Sequence, residues 1–191
     1  MKYKGKIEKI KHIVVSDPTY DKGVWCRYEN NNIDNKDLAV IVYIDKVNNN
    51  IEDYEFETVD FAVLIKTNDD DCSVTKDGYL KHLENIKITK YDIGVDTACV
   101  AIGVNEYAKN IIDSKDEWQP ECAIRTGTDG IFGTVIEGKN DEELCFIFIE
   151  GYFDSDFIDT NKLLDYLTEK LCIKELIVEN ETDKETKGMV V

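Results

Sequence analysis

Two stretches of the chain, Leu38–Val47 and Leu144–Ile149, are apolar on both of the faces that a β-strand presents. In the first, Leu38, Val40, Val42 and Ile44 alternate with Ala39, Ile41 and Tyr43. Successive strand residues point to opposite sides of a sheet, so a half-solvated strand alternates apolar with polar residues. A run that is apolar on both sides suits a central strand buried on each face.

Other signals fill in the order of elements. A first strand is expected over Lys6–Val15, ending at the turn Ser16–Tyr20, where Pro18 pushes Asp17 toward extended geometry. A short strand is expected over Val24–Glu29. In Tyr54–Thr67 the apolar residues change face: Tyr54 and Phe56 are even-numbered, whereas Val59, Phe61, Val63 and Ile65 are odd. Such a change predicts a bulge or break near Thr58. Lys87–Thr89 and Val95–Val104 read as strands separated by Gly94, followed by a short helix over Asn105–Ile112. Glu121–Arg125 and Ile131–Glu137 flank Thr126–Gly130, whose glycines and Asp-Gly pair predict a hairpin with positive φ.

Asn161–Cys172 is the strongest helix signal, with Asp159 or Thr160 as cap and Leu163, Leu164, Leu167 and Leu171 in one stripe. A last strand follows at Leu176–Val178. The expected fold is α+β, mainly β: an antiparallel sheet or sandwich with one C-terminal helix packed on it. Residues 1–178 read as a single globular domain and 179–191 as a flexible tail.

Charge narrows the function classes. Forty acidic residues against 23 basic ones leave a net charge of −17. Exposed carboxylates repel phosphate, which disfavours direct binding to nucleic acid or to an anionic membrane. Solubility, cation binding and docking on a basic protein surface are all compatible with it. Part of the bias has a simpler origin: Arg27 and Arg125 are the only arginines, and asparagine, lysine and isoleucine abound, as A/T-rich coding would give. Asn30–Asn32 and Asn48–Asn50 then read as loops. No run approaches the ~18 apolar residues that cross a bilayer. The basic N-terminal segment is too interrupted by Lys9, Lys11 and His12 for a signal peptide, so the expected location is the cytoplasm. Cys26, Cys72, Cys99, Cys122, Cys145 and Cys172 are scattered singly and read as reduced core residues.

No stretch carries a specific catalytic signature. Asn68–Ser73 is the densest acidic cluster, but Val74 and Leu80 stand where an EF-hand needs glycine and a carboxylate. Asp154, Asp156 and Asp159 precede a helix and read as capping groups. A cysteine nucleophile needs a base, and neither His12 nor His82 is tied to a cysteine by any motif. Gly127–Gly133 lacks the lysine and following helix of a phosphate loop. No metal and no cofactor is expected.

Three segments resemble a bacterial and phage family known only as a domain of unknown function. They are Val15–Tyr20, Gly94–Ala98 and Thr126–Phe132. The family pattern is an Asp-Pro-Cys-Tyr-like segment, a Val-Asp-small segment and a Gly-x-Asp-Gly-aromatic segment, in that order. Here Thr19 replaces the cysteine, and Ile131 precedes the aromatic residue. The resemblance implies a β-rich fold and transfers no catalytic role.

These observations lead to a non-enzymatic acidic binding protein, of inhibitor or immunity type, whose partner presents a basic surface. The expected binding region is the acidic surface or a groove near Gly127–Gly130. An alternative is a small enzyme or ligand-binding protein with a site at Asp96, Arg125 and Asp129, which lie in or beside the resembling segments. A third is a structural protein that self-associates through an edge strand.

Overall fold

The computed structural model describes residues 1–19, 27–33, 36–67, 86–113, 122–139 and 144–179. Both doubly apolar runs become interior strands of one sheet: β4 (Lys36–Ile51) and β10 (Leu144–Asp154). Their companions are β1 (Lys2–Ile10), β5 (Tyr54–Lys66), β6 (Lys87–Val95), β9 (Gly130–Lys139) and β11 (Ile173–Val178). This seven-stranded sheet is antiparallel throughout, in the order β11-β1-β4-β5-β10-β9-β6. A second antiparallel sheet joins β3 (Arg27–Asn30), β2 (Ile13–Ser16), β7 (Cys99–Val104) and β8 (Ala123–Arg125), in that order.

The fold is thus mainly β with packed helices, as the sequence predicts. The main core lies between the inner face of the large sheet, the small sheet and helix α2 (Thr160–Lys170). Val42, Val63 and Ile147 face Val15, Ile102, Leu163 and Leu167 in one buried cluster. Each such side chain contributes roughly 1.5–3 kcal/mol on burial. Helix α1 (Asn105–Asp113) covers the other face of the small sheet, packing Ala108 and Ile111 on Val14 and Ala101. The cap of α2 is Asp159, whose carboxylate accepts from Lys162 N at 2.8 Å. Among the described residues no helix is long and apolar enough to cross a membrane. Cys99 and Cys122 are buried free thiols, while Cys145 and Cys172 are half-buried ones.

Several boundaries depart from the sequence reading. The first strand is two, because the chain leaves the large sheet after Ile10 and enters the small one at Ile13. Asn105 makes that crossing possible: its side chain accepts from Lys11 N at 2.8 Å, and its N–H donates to His12 O at 2.9 Å. β6 runs through Gly94, and the break comes at 96–98. The last strand starts earlier, at Ile173.

Thr126–Gly130 is not a hairpin. β8 pairs with β7 in the small sheet and β9 with β10 and β6 in the large one, so the segment crosses between sheets. Its positive φ values are nevertheless present, at Gly127 (92°) and Gly130 (115°). Nor is there a bulge near Thr58. The β4–β5 register is unbroken from Ala39↔Lys66 to Ile51↔Tyr54. Tyr54 and Phe56 instead lie on the outer face, where β4 and β5 run on past their neighbours and no core dictates polarity. Asn48–Asn50, read as a loop, are part of that extension. The sheet does bulge at Phe132 of β9, where the register with β6 shifts between Ile93 and Gly94. That extra residue joins Phe61 and Phe153 in an aromatic cluster, at 6.0 and 5.2 Å between ring centroids.

Candidate functional site

Two of the connections that carry the chain between the two sheets, β6–β7 and β8–β9, meet beside the end of β2. Asp17, at the end of β2, is fully buried. Its Oδ1 accepts from Thr19 N at 3.0 Å and Thr19 Oγ1 at 2.9 Å. Its Oδ2 accepts from Asp96 N at 2.8 Å, Thr97 N at 2.9 Å and Thr97 Oγ1 at 2.9 Å. Burial alone would raise this carboxyl's pKa, but those donors together hold it below the ordinary value. The β8–β9 crossing lies alongside, since Thr126 N donates to Ala98 O at 2.9 Å and Asp154 N to Thr126 O at 3.0 Å. Gly127 is obligatory here: a β-carbon would meet Asp154 Cβ at 2.4 Å and the Phe157 ring at 2.9 Å.

The three segments that carry the resemblance are therefore neighbours, and the predicted site residues lie among them. Asp96 follows the pair Val95↔Gly130, and Asp129 precedes it, so the two are on adjoining connections. Arg125 sits opposite Cys99 at the other end of the strip. All three are exposed. Burial pushes the Cys99 thiol pKa up, the Arg125 charge pulls it down, and the Asp17 charge adds to the rise; the net direction is up. A protonated, buried thiol is a poor nucleophile. Asp17 has its oxygens committed to five donor groups, which makes it a latch between connections rather than a base. The other arginine, Arg27, is buried against Glu29 at 2.9 Å, a structural pair. His82, Cys72 and the acidic run Asn68–Ser73 lie outside the described residues.

A second surface was not visible in the sequence. On the outer face of the large sheet, Asp45 and Asp60 stand directly opposite each other on β4 and β5. Like charges so placed repel, at a cost of roughly 0.2–1 kcal/mol. Asp45 accepts from Lys46 N (2.9 Å) and Asp60 from Thr58 Oγ1 (2.6 Å); neither has an ion-pair partner among the described residues. The next rung sets Glu150 of β10 against Ala62 and Thr134, with Asp92 of β6 beyond. Tyr152 stands beside Asp60 and Ile131 beside Tyr152, at 40 and 68% accessibility, while Ile51 and Tyr54 are exposed six residues further along β4 and β5, at the hairpin tip. Tyr152 Oη donates to Ile131 O at 3.2 Å, and the Tyr54 and Phe56 rings stack at 5.9 Å.

A groove of about 720 Å³ runs through this face, lined by Met1, Tyr43, Asp45, Asp60, Phe148 and Glu150 among others. The Tyr43 hydroxyl is buried there without a hydrogen-bond partner among the described residues. Burial, with the Glu179 charge behind it, pushes this phenol's pKa up, so it is a neutral donor.

Between Asp45 and Asp60 there are six carboxylates and one lysine. Lys2 and Glu179 line the same groove as an ion pair, with Lys2 Nζ 5.7 Å from the centre of the Tyr43 ring; Lys4 also pairs with Glu179, and Lys6 with Glu175. The lone lysine of the extension, Lys46, is held by Glu57 at 2.7 Å. The signal available in the sequence was an aspartate inside each of two apolar strands, but only the register makes them a pair.

No protein-family model, curated protein or solved structure matches this chain.

Proposed function

We propose that the protein is a non-enzymatic intracellular binding protein whose outer sheet face, around Asp45 and Asp60, receives a basic protein surface. The single observation that carries this reading is the opposed Asp45–Asp60 pair, with exposed Tyr152 next to Asp60 on β10. A cation from a partner relieves the repulsion between the two carboxylates, and Tyr152 supplies contact area that charge alone lacks. Inhibitor and immunity proteins are one class that uses such surfaces.

The test is fluorescence anisotropy with a labelled oligo-arginine peptide at low salt. Replacing both Asp45 and Asp60 with asparagine is expected to weaken binding about five- to tenfold, from two exposed charge contacts. The same change at Asp156 and Asp165, which lie elsewhere, is expected to have little effect. Equal losses from both pairs would sink the reading.

A second reading keeps a small-ligand site at Asp96, Arg125 and Asp129. It is supported by the register that sets Asp96 and Asp129 on adjoining connections, with Arg125 at the other end of the strip. Footprinting of a complex, described below, separates the two.

A further inference from the structure

We infer that β6 is a self-association edge, at which two copies of the chain join their large sheets across a two-fold axis at Tyr91. The inference is independent of the basic-partner reading above, since Asp45 and Asp60 lie on β4 and β5, well inside the sheet from β6.

Four strands end a sheet in this fold: β11 and β6 in the large one, β3 and β8 in the small one. An unpaired edge is a template for pairing, and proteins ordinarily blunt it by shortness, bulges or charged side chains. β3 and β8 are short, at four and three residues. β11 is interrupted: Glu175 sits at φ 55°, and the register with β1 shifts between Lys4 and Lys6. β6 is long and regular. Its nine residues, Lys87–Val95, run without interruption, because the extra residue of the bulge opposite Gly94 belongs to β9. At 3.4 Å per residue that edge is roughly 30 Å long. Among the described residues β6 pairs with β9 alone, and Lys87, Thr89, Lys90 and Asp92 are exposed. Its one defence is two lysines, Lys87 and Lys90, neither of which has an ion-pair partner among the described residues.

Register decides whether those lysines repel or attract. Ile88, Lys90 and Asp92 lie on the outer face of the sheet, and Thr89, Tyr91 and Ile93 on the inner one. In a two-fold antiparallel pair each residue faces a same-face residue of the other copy, and every contact occurs twice. Centred on Lys90, lysine faces lysine; centred on Asp92, carboxylate faces carboxylate; centred on Thr89, each Lys90 faces Ile88. Centred on Tyr91, Lys90 faces Asp92 in both directions, Thr89 faces Ile93, and Ile88 lies over Gly94. Unlike charges directly opposite stabilise a sheet and like ones destabilise it, which selects the Tyr91 register. Tyr91, whose ring centroid is 4.9 Å from that of Tyr28, then faces its own copy and doubles this aromatic pair. A uniformly acidic strand would oppose Asp92 and a uniformly basic one Lys90, whereas a second copy sets no like charges directly opposite.

The test is sedimentation velocity of the full-length protein in about 0.15 M salt, where a Debye length of about 8 Å screens the net charge of −17. An interface one strand wide makes a weak dimer, so the concentration runs from about 10 μM to about 1 mM. The unaltered chain should pass from monomer to dimer over that range. Lys90→Glu alone and Asp92→Lys alone each set like charges opposite twice, and each should weaken the dimer about tenfold. Mixed in equal amounts, the two variants should recover the association of the unaltered chain, because the new glutamate faces the new lysine while the native Lys90 faces the native Asp92.

Net charge alone predicts otherwise, since the less acidic Asp92→Lys would then associate most. That result overturns the proposal, as does a mixture that associates no better than its components, or an unaltered chain that stays monomeric throughout. Should either variant fail to fold, hydrogen exchange of the unaltered chain decides: alternate β6 amides should slow in step with the dimer fraction, and amides indifferent to concentration overturn it. Oligo-arginine binding at Asp45 and Asp60 is untouched by either outcome.

Discussion

Replacing Asp17 with asparagine tests the latch that joins the two sheets. The asparagine oxygen can remain with Asp96 N and Thr97 N, now at 2.8 and 2.9 Å from Oδ2. Its amide group then faces Thr19 N, which sits 3.0 Å from Oδ1, so donor meets donor. One buried N–H left unpaired costs roughly 1–3 kcal/mol. The bonds that survive also lose their charge assistance, which about halves their strength. A total near 3 kcal/mol is expected for Asp17→Asn, and more for Asp17→Ala, which abandons all five donors. For a chain of this size each kcal/mol moves the melting temperature about 2–4 °C. Thermal unfolding followed by circular dichroism should therefore show a fall of roughly 6–12 °C. Asp129→Asn, on the exposed part of the same strip, should change stability by no more than about 0.5 kcal/mol. A loss below about 2 °C for Asp17→Asn, or an equal loss at Asp129, would refute the latch.

The same carboxylate gives a pH dependence with a definite sign. Asp17 and Glu137 both have lowered pKa values: burial raises each, but hydrogen bonds from Thr19, Asp96 and Thr97, and from Lys139, Tyr28 and Asn30, outweigh it. A lowered folded-state pKa gives stability that is complete above the unfolded value and drains as pH falls through the folded one. Urea unfolding should therefore weaken steadily below about pH 5, and Asp17→Asn combined with Glu137→Gln should flatten that slope; an unchanged slope contradicts the assignment. Tyr28→Phe removes the 2.6 Å bond that ties β3 to Glu137 of β9, and should cost about 1–3 kcal/mol in the same assay. Glu52 and Asp53 turn the β4–β5 hairpin with φ of 49° and 71°, a geometry that suits asparagine and glycine. Glu52→Asn with Asp53→Gly should stabilise by about 1 kcal/mol, and a destabilised double variant would show that the turn is held by other contacts.

What the sequence disclosed follows from how local each feature is. β4 and β10 were legible because a strand buried on both faces has no polar alternation to confuse it. Helix α2 was legible because Asp159, Leu163, Leu167 and Leu171 lie within four turns of one another. Strand partnership was not, because it is decided between distant residues. Thr126–Gly130 has hairpin chemistry, and only the pairing of β8 with β7 shows that it crosses between sheets. Asn48–Asn50 have low strand propensity, yet Glu55, Phe56 and Glu57 across the ladder hold them extended. The role of Asp17 was hidden for the same reason, since its decisive donors are about 80 residues away. The sign of the charge could be read directly, but the facing of Asp45 and Asp60 could not. It depends on the register that sets Asp45 of β4 against Asp60 of β5.

The most direct test of the binding face is carbodiimide footprinting of carboxylates, with and without saturating oligo-arginine peptide, read by mass spectrometry. Asp45, Asp60 and Glu150 should lose reactivity in the complex, while Asp96, Asp129 and Asp156 keep theirs. Protection at Asp96 and Asp129 with Asp45 and Asp60 unchanged would contradict the outer-face account and move the site to the crossings between the sheets.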